Sequence, residues 1–358
     1  RVGVTNNKDE MIGILEQIDV LSHFANHTYV VDSKIKKAKN LEDLKDSSKD
    51  LINIISSLHA KGVKVNHISN LIGQLNTKVY QKLYELILPK ELRNDACFIV
   101  MGSEGRNEQI IKTDQDNALV IKDGIEVEQY KFYMNEITKN LIDFGYPICE
   151  GNIMVSNPFW CKTVNEYKNE TARWIEAPGI QNYMDLAIFF DSFAVAGNKE
   201  LLINLKDNLF NKLHDKDVFM AYFAKATLAF DTPNTVTNIM TKSHIIDIKK
   251  TAVFPIVQGI RSLALKEKIR ETTTIKRIKI LENRKVLEKD KAAELLEAFD
   301  FVNTIRLKSQ LFDIQHGKKI TNEIDTHTLG KIERDLLKDS FKIINEFKRF
   351  ISYTFRID

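Results

Sequence analysis

From Asn40 to Leu92 the apolar residues recur at three- and four-residue steps, first as Leu51, Ile52, Ile54, Ile55 and Leu58, then as Ile68, Leu71, Ile72, Leu75, Val79, Leu83 and Leu86. That spacing predicts two or more amphipathic helices. Pro89 and the polar stretch Lys90 to Asp95 close this section, and Ala96-Cys97-Phe98-Ile99-Val100-Met101 follows as an unbroken apolar run of strand length, which predicts a buried strand. A second strand is expected at Ala118-Leu119-Val120-Ile121, then a helix around Tyr130, Tyr133, Ile137 and Leu141, then a third strand near Ile148 to Val155. Beyond Asp185 the spacing reads as helical almost to the end, with breaks near Pro233, Pro255 and Gly317. Ahead of all this, the first thirty or so residues read as a β-β-α unit: a strand, the turn Asn6-Asn7-Lys8-Asp9, a second strand over Met11-Ile12-Gly13-Ile14-Leu15, and a short helix from about Asp19. The chain has no internal repeat. It divides into segments 1–35, 36–93, 94–205 and 206–358, an α/β unit of catalytic size being followed by an all-helical unit.

Composition narrows the class without naming a chemistry. A length of 358 residues with 43% hydrophobic and 28% charged side chains predicts a folded chain with a substantial core, and excludes collagen-like or largely disordered sequence. The net charge of +3 is too small to imply a polyanionic partner by itself. Cys97, Cys149 and Cys161 form no CxxC pair and no even-numbered framework, so zinc and disulfide scaffolds are poorly supported and a reducing, cytoplasmic setting fits best. No run approaches the length needed to span a bilayer, so no membrane is expected. The chain opens on Arg1 without an initiator Met and reads as a fragment or processed product, and the β-β-α unit is too small to bury a core alone, so pairing with missing sequence or in a homo-oligomer is plausible.

The chemistry concentrates in Met101-Gly102-Ser103-Glu104-Gly105-Arg106-Asn107-Glu108-Gln109-Ile110-Ile111-Lys112-Thr113-Asp114-Gln115-Asp116-Asn117. One strand ends in Gly102-Ser103, and about ten residues on, Asp114 and Asp116 open the next. Strand side chains alternate, so the two carboxylates share a face at about 7 Å along the chain. A pair of that kind is a half-site for Mg²⁺ or Mn²⁺, whose remaining positions go to water and substrate phosphates. Gly102 lets backbone approach a phosphate where a Cβ would obstruct it, the Ser103 hydroxyl and backbone N–H groups can donate to it, and Arg106 and Lys112 add cationic donors.

Gly-Ser followed by Asp-x-Asp in a strand resembles the signature of the DNA-polymerase-β-like nucleotidyltransferase superfamily. More closely, residues 102–109 with Thr113-Asp114-Gln115-Asp116-Asn117 are similar to bacterial nucleotidyltransferases that follow cystathionine-β-synthase-type (CBS) domains, relatives of the N-terminal domain of PII-protein uridylyltransferase. Gly145-Tyr146-Pro147 through Asn157-Pro158, Phe190-Asp191 with Val195-Ala196-Gly197-Asn198, and Ile246-Asp247-Ile248-Lys249 with Arg261 are similar to the same family, and Gly13-Ile14-Leu15 with Asp19 resembles the end of a CBS domain. The resemblance implies an α+β fold, a polymerase-β-like mixed sheet flanked by N-terminal helices and an all-helical C-terminal substrate-binding domain. It implies transfer of a nucleoside monophosphate from an NTP to the hydroxyl of a protein or small molecule, with pyrophosphate released, in signal transduction. Asp114 and Asp116 would then be the catalytic metal ligands, Gly102 and Ser103 with Arg106 and Lys112 would bind nucleotide, and Glu150 in the third predicted strand would be the third carboxylate ahead of the helical Asp185 and Asp191. Ser192-Phe193 stands where many relatives carry an Arg, and Asn198 where an acid is frequent.

Weaker signals keep a bland reading beside the functional one. Asn117, Glu108 and Gln109 either orient the acids or hydrogen-bond the loop. Between Thr241 and Lys285 twelve basic residues face four acids, which is either a surface for a triphosphate or an RNA end, or a solvated helix face. No aromatic platform accompanies them, so a nucleic acid partner is not expected. Trp160, Trp174, Phe189 and Phe190 read as core before they read as a base-stacking set. The histidines form no metal-ligand spacing. Besides the enzyme, two readings stand: a catalytically silent nucleotide-sensing module and an RNA-end nucleotidyltransferase.

Overall fold

The computed structural model describes residues 2–6, 8–15, 28–177, 179–233 and 244–357. At the N-terminus β1 (Val2–Thr5) and β2 (Met11–Leu15) pair antiparallel, their turn held by Asn6, whose side-chain oxygen accepts from the backbone N–H of Lys8 and Glu10. The helix expected from Asp19 lies outside the described residues. Helices follow at residues 28–37 (α1), Leu41–Lys49 (α2), Leu51–Ala60 (α3) and Val65–Ile87 (α4). The predicted stripe on α4 is what it buries: Ile68, Ile72, Leu75, Val79 and Leu83, joined by Tyr80 and Tyr84.

Two long central strands organise the middle of the chain. β3 (Ala96–Val100) lies antiparallel to β4 (Asn117–Ile121) and, on its other side, to β6 (Phe193–Gly197), while β5 (Cys161–Thr163) runs parallel to β4, giving the order β5-β4-β3-β6. Every residue of β3 and β4 is buried because the sheet is covered on both faces. Ala96, Phe98, Val100, Leu119 and Ile121 pack toward α4 and α6 (Glu128–Asp143). Cys97, Ile99, Ala118 and Val120 pack toward α7 (Val164–Glu176), α8 (Ile180–Phe190) and α9 (Lys199–Lys212), in one core with the C-terminal helices.

Those C-terminal helices are α10 (Asp217–Lys225), α11 (Phe254–Lys266), α12 (Thr274–Asn283), α13 (Lys289–Gln315) and α14 (Lys331–Phe355). Two three-residue strands, β7 (Ile245–Asp247) and β8 (Glu323–Asp325), interrupt the helical run. The fold class is thus α+β, a mixed four-stranded sheet between N-terminal and C-terminal helical parts.

Two expectations for the strands need correction. Ile148 to Val155 is turn and coil, because Gly151 and Asn152, the latter in a left-handed conformation (φ 53°), break the chain there. The Asn117 N–H donates to the Ile153 carbonyl (3.0 Å) and the Val155 N–H donates to the Asn117 side chain (2.8 Å), so the segment is tied beside β4 at points rather than paired along it. The strand that does pair there is β5. The run beyond Asp185 is also not wholly helical, since Phe193–Gly197 forms edge strand β6; five residues bounded by helices carry too short an alternation to outweigh the helical spacing around them. Trp160, Trp174, Phe189 and Phe190 are core, as the bland reading held.

Candidate active site

Antiparallel pairing of β3 with β4 sets Val100 opposite Asn117, so the residues after β3 and before β4 meet at one edge of the sheet. The Met101 N–H donates to the Asp116 carbonyl (2.7 Å), extending that ladder by one step. The chain then turns through one helical turn, α5 (Gly102–Gly105). Gly102 has φ 55°, and a Cβ added there would lie 2.2 Å from Asp116 Oδ2. Only glycine combines the left-handed backbone with so close an approach to a carboxylate.

Ser103 shares that turn. Its hydroxyl donates to Gln109 Oε1 (2.8 Å), and the Gln109 amide donates to the Asp114 carbonyl (2.8 Å), so Gln109 braces the hydroxyl against the acid segment. Gln109 thus hydrogen-bonds across the loop to the Asp114 backbone, and Asn117 ties the Ile153–Val155 segment to β4.

The acids stand just ahead of β4 rather than within it. Asp114, Asp116 and Cys149 bring one ligand atom each to within 4.8 Å of one another. The Cys149 thiol donates to Asp116 Oδ1 (3.2 Å), and the Gln115 N–H donates to Asp114 Oδ1 (2.9 Å). Burial, reinforced by the Asp114 carboxylate beside it, raises the Asp116 carboxyl above its ordinary value. Burial and the same Asp116 charge push the Cys149 thiol up to about 12. Two crowded carboxylates that repel each other form a natural seat for a divalent cation. The oxygen pair suits Mg²⁺ or Mn²⁺, and the thiol adds a softer third donor.

The remaining predicted site residues are placed elsewhere. Glu150 is exposed on the turn after Cys149 and is not part of the cluster, and Asp185 is held by Gln181 on α8 (2.8 Å). Lys112 points inward: its ammonium donates to the Ser48 carbonyl and hydroxyl and to the Phe144 carbonyl at 2.6–3.0 Å, and burial lowers it to about 8. Arg106 is buried between Glu108 and Asp191, 2.7 Å from each. Neither cation is brought to the Ser103 hydroxyl.

Other residues face this edge without having been singled out as ligands. Cys149 carried no spacing signal. Lys249 opens a π-helical turn (Lys249–Val253) that its carbonyl helps to close by accepting the Phe254 N–H. Desolvation and the neighbouring Arg306 lower its ammonium, while Asp114 and Asp116 pull it upward, so it stands within electrostatic reach of both acids. Arg306 on α13, held by Asn322 (2.8 Å), lies behind Lys249, near Glu108 and Asp247, and is lowered to about 10 by burial and by Arg106. Glu104, on α5 itself, is buried; burial pushes its carboxyl up to about 8, against the opposing effect of the Tyr80 hydroxyl, which donates to it at 2.6 Å.

Much of the basic stretch is internally committed. Arg261 and Arg277 are buried on Asp191, Arg270 pairs with Asp207, Arg284 with Glu267 and Lys276 with Glu271. Among the described residues no helix is long and apolar enough to cross a membrane.

A Gly-Ser turn thus lies against paired acids and a thiol that could hold a metal ion, at the edge of a mixed sheet. Comparison with known families agrees: residues 49–181 match the family described as Putative nucleotidyltransferase DUF294, and residues 217–355 match the Putative nucleotidyltransferase substrate binding domain. The chain carries both domains in that order. The first match begins at the last residue of α2, so α3 and α4 fall within it. No curated protein matches the chain.

Proposed function

We propose that this chain transfers a nucleoside monophosphate from an NTP to a hydroxyl on a protein or small molecule, with release of pyrophosphate, in a regulatory role like that of the PII uridylyltransferases. The single observation that carries the reading is the contact of the Gly102 backbone with the Asp116 carboxylate, which sets a phosphate-binding turn and a metal-binding acid against each other. Asp114 and Asp116 would hold Mg²⁺ or Mn²⁺, with Cys149 in the place where a third carboxylate was expected at Glu150. When bound, the cation supplies Lewis-acid charge to the transferring phosphoryl group. The residues do the rest: N–H groups of the Gly102 turn and the Ser103 hydroxyl, turned from Gln109, orient the terminal phosphates, and Lys249 neutralises their charge from the C-terminal side. The acceptor oxygen bonds to the α-phosphorus as the bridge to the β-phosphate breaks, pyrophosphate leaves and the hydroxyl proton is lost. The likeness of residues 1–35 to a CBS domain fits a chain whose transfer is gated by a nucleotide-sensing segment, and its setting is then cytoplasmic.

One observation favours a second reading, the silent sensor: the third member of the cluster is a thiol, not a carboxylate. Pyrophosphate release from each of the four NTPs, with Mg²⁺ or Mn²⁺ and cell extract as acceptor source, separates the two. Release that disappears in Asp114→Asn and Asp116→Asn is the expected result; metal-dependent NTP binding without turnover selects the sensor, and no binding refutes the site.

A further inference from the structure

Asp191 lies at the end of α8, fully buried, and its carboxylate collects three guanidiniums from three parts of the chain. Arg106, on the residue after α5, donates to Oδ2 (2.7 Å); Arg261 of α11 donates to the same oxygen through Nε (2.9 Å) and Nη2 (2.5 Å); Arg277 of α12 donates to Oδ1 (2.6 Å). Although burial works to raise it, the charges of Arg261, Arg277 and Arg106 hold the Asp191 carboxyl well below the usual carboxylate range, so it stays charged.

The backbone reinforces this junction. A Cβ on Gly105 would lie 2.1 Å from the Asp191 carbonyl oxygen, so the far end of the α5 turn rests on Asp191 as its near end rests on Asp116. Arg106 also pairs with Glu108, whose second oxygen accepts from the Thr274 N–H at the first turn of α12 (2.8 Å). Both side-chain links of Arg106, through Asp191 and through Glu108, thus continue into the C-terminal helices α11 and α12.

We infer that Asp191 is a positioning residue, which by joining Arg106 to Arg261 and Arg277 fixes the Gly102-Ser103 turn at the distance from Asp114 and Asp116 at which a metal-bound polyphosphate spans both. The inference rests on the phosphate-binding reading of that turn. It makes the C-terminal domain a structural part of the phosphate site, beyond any contact it makes with an acceptor.

Asp191→Asn would leave three buried guanidiniums around a neutral amide, which puts folding itself at stake. The test therefore uses Arg261→Met, which leaves two guanidiniums, Arg106 and Arg277, against the two carboxylates Asp191 and Glu108, and Arg277→Met where the first variant does not fold. Two probes are titrated on the full chain: Mn²⁺ alone, followed by its paramagnetic resonance signal, and inorganic tripolyphosphate at saturating Mn²⁺, followed by calorimetry. The expected result is Mn²⁺ affinity within twofold of the unsubstituted chain and tripolyphosphate binding weakened by about tenfold or more, a coupling of ordinary size. Equal affinity for both probes overturns the inference. So does a parallel loss of both with a lowered melting temperature, or failure of both variants to fold, since each marks a merely structural cluster. If the unsubstituted chain binds neither probe, the proposed function fails first and takes this inference with it.

Discussion

Gly102→Ala is the sharpest perturbation the site offers. The new methyl group would stand 2.2 Å from Asp116 Oδ2, more than 1 Å short of the 3.4 Å at which ordinary contact begins, on a residue whose φ of 55° already disfavours a side chain. The conformational part costs roughly 1–2 kcal/mol of stability. The steric part displaces the Asp116 carboxylate, and a misplacement of about 1 Å in a catalytic constellation costs on the order of 10²-fold in rate. Gly124→Ala separates the two contributions: Gly124 has φ 84° and nothing within 4 Å of its added Cβ, so it carries the conformational cost alone. Both variants are measured by urea unfolding and by pyrophosphate release at a temperature where both are folded. Similar destabilisation of the two, with turnover lost only in Gly102→Ala, is the expected outcome. Full turnover by Gly102→Ala would refute the argument that this backbone must meet Asp116.

Three further perturbations test the surroundings of the site. Cys149→Ser keeps a donor beside Asp116 but removes the soft ligand, so Mg²⁺-supported turnover is expected to change little while inhibition by Cd²⁺ weakens by about tenfold or more; unchanged Cd²⁺ sensitivity would remove the thiol from the metal site. Tyr80→Phe deletes the 2.6 Å donation to Glu104 and leaves that buried oxygen bare, which is expected to lower stability by about 1–3 kcal/mol in urea unfolding. The Glu104 carboxyl, raised from 4.5 to about 8, is neutral in the folded chain at neutral pH and charged in the unfolded one. Its contribution is therefore full below pH 4.5 and lost as pH rises through about 8, by at most about 5 kcal/mol. Glu104→Gln should flatten that decline in a stability–pH profile, and an equally steep profile in the variant would point to another group.

What could be read from the residues was local: the helical stripe of α4, the two buried strands, and a Gly-Ser and an Asp-x-Asp that pairing brings to one edge. What could not be read depends on partners far along the chain. An arginine next to a Gly-Ser turn has the right chemistry for a phosphate, and nothing nearby reveals that Asp191, 85 residues on, occupies it. The same holds for Lys112, whose ammonium is satisfied by carbonyls of α2 and of the α6 C-terminus rather than by a ligand. Glu150 failed to join the cluster for a different reason: Gly151 and Asn152 end the expected strand, so alternation no longer decides which side chain faces the acids, and Cys149 turns inward while its neighbour turns out.

The two displaced cations bear on how charge would be met at the site. With Arg106 and Lys112 committed inward, the charge of a triphosphate on the proposed site would have to be met from another direction, and the cation within reach of both acids is Lys249 of the C-terminal part. Arg261 and Arg277 of that same part fix the turn through Asp191. On the proposed reading the C-terminal part would thus supply both charge for the phosphates and the anchor of the turn. Lys249→Met in the full chain is thus expected to bind Mn²⁺ at least as tightly and to bind tripolyphosphate about tenfold or more weakly by calorimetry, and unchanged tripolyphosphate affinity would show that the C-terminal part supplies no charge to the site.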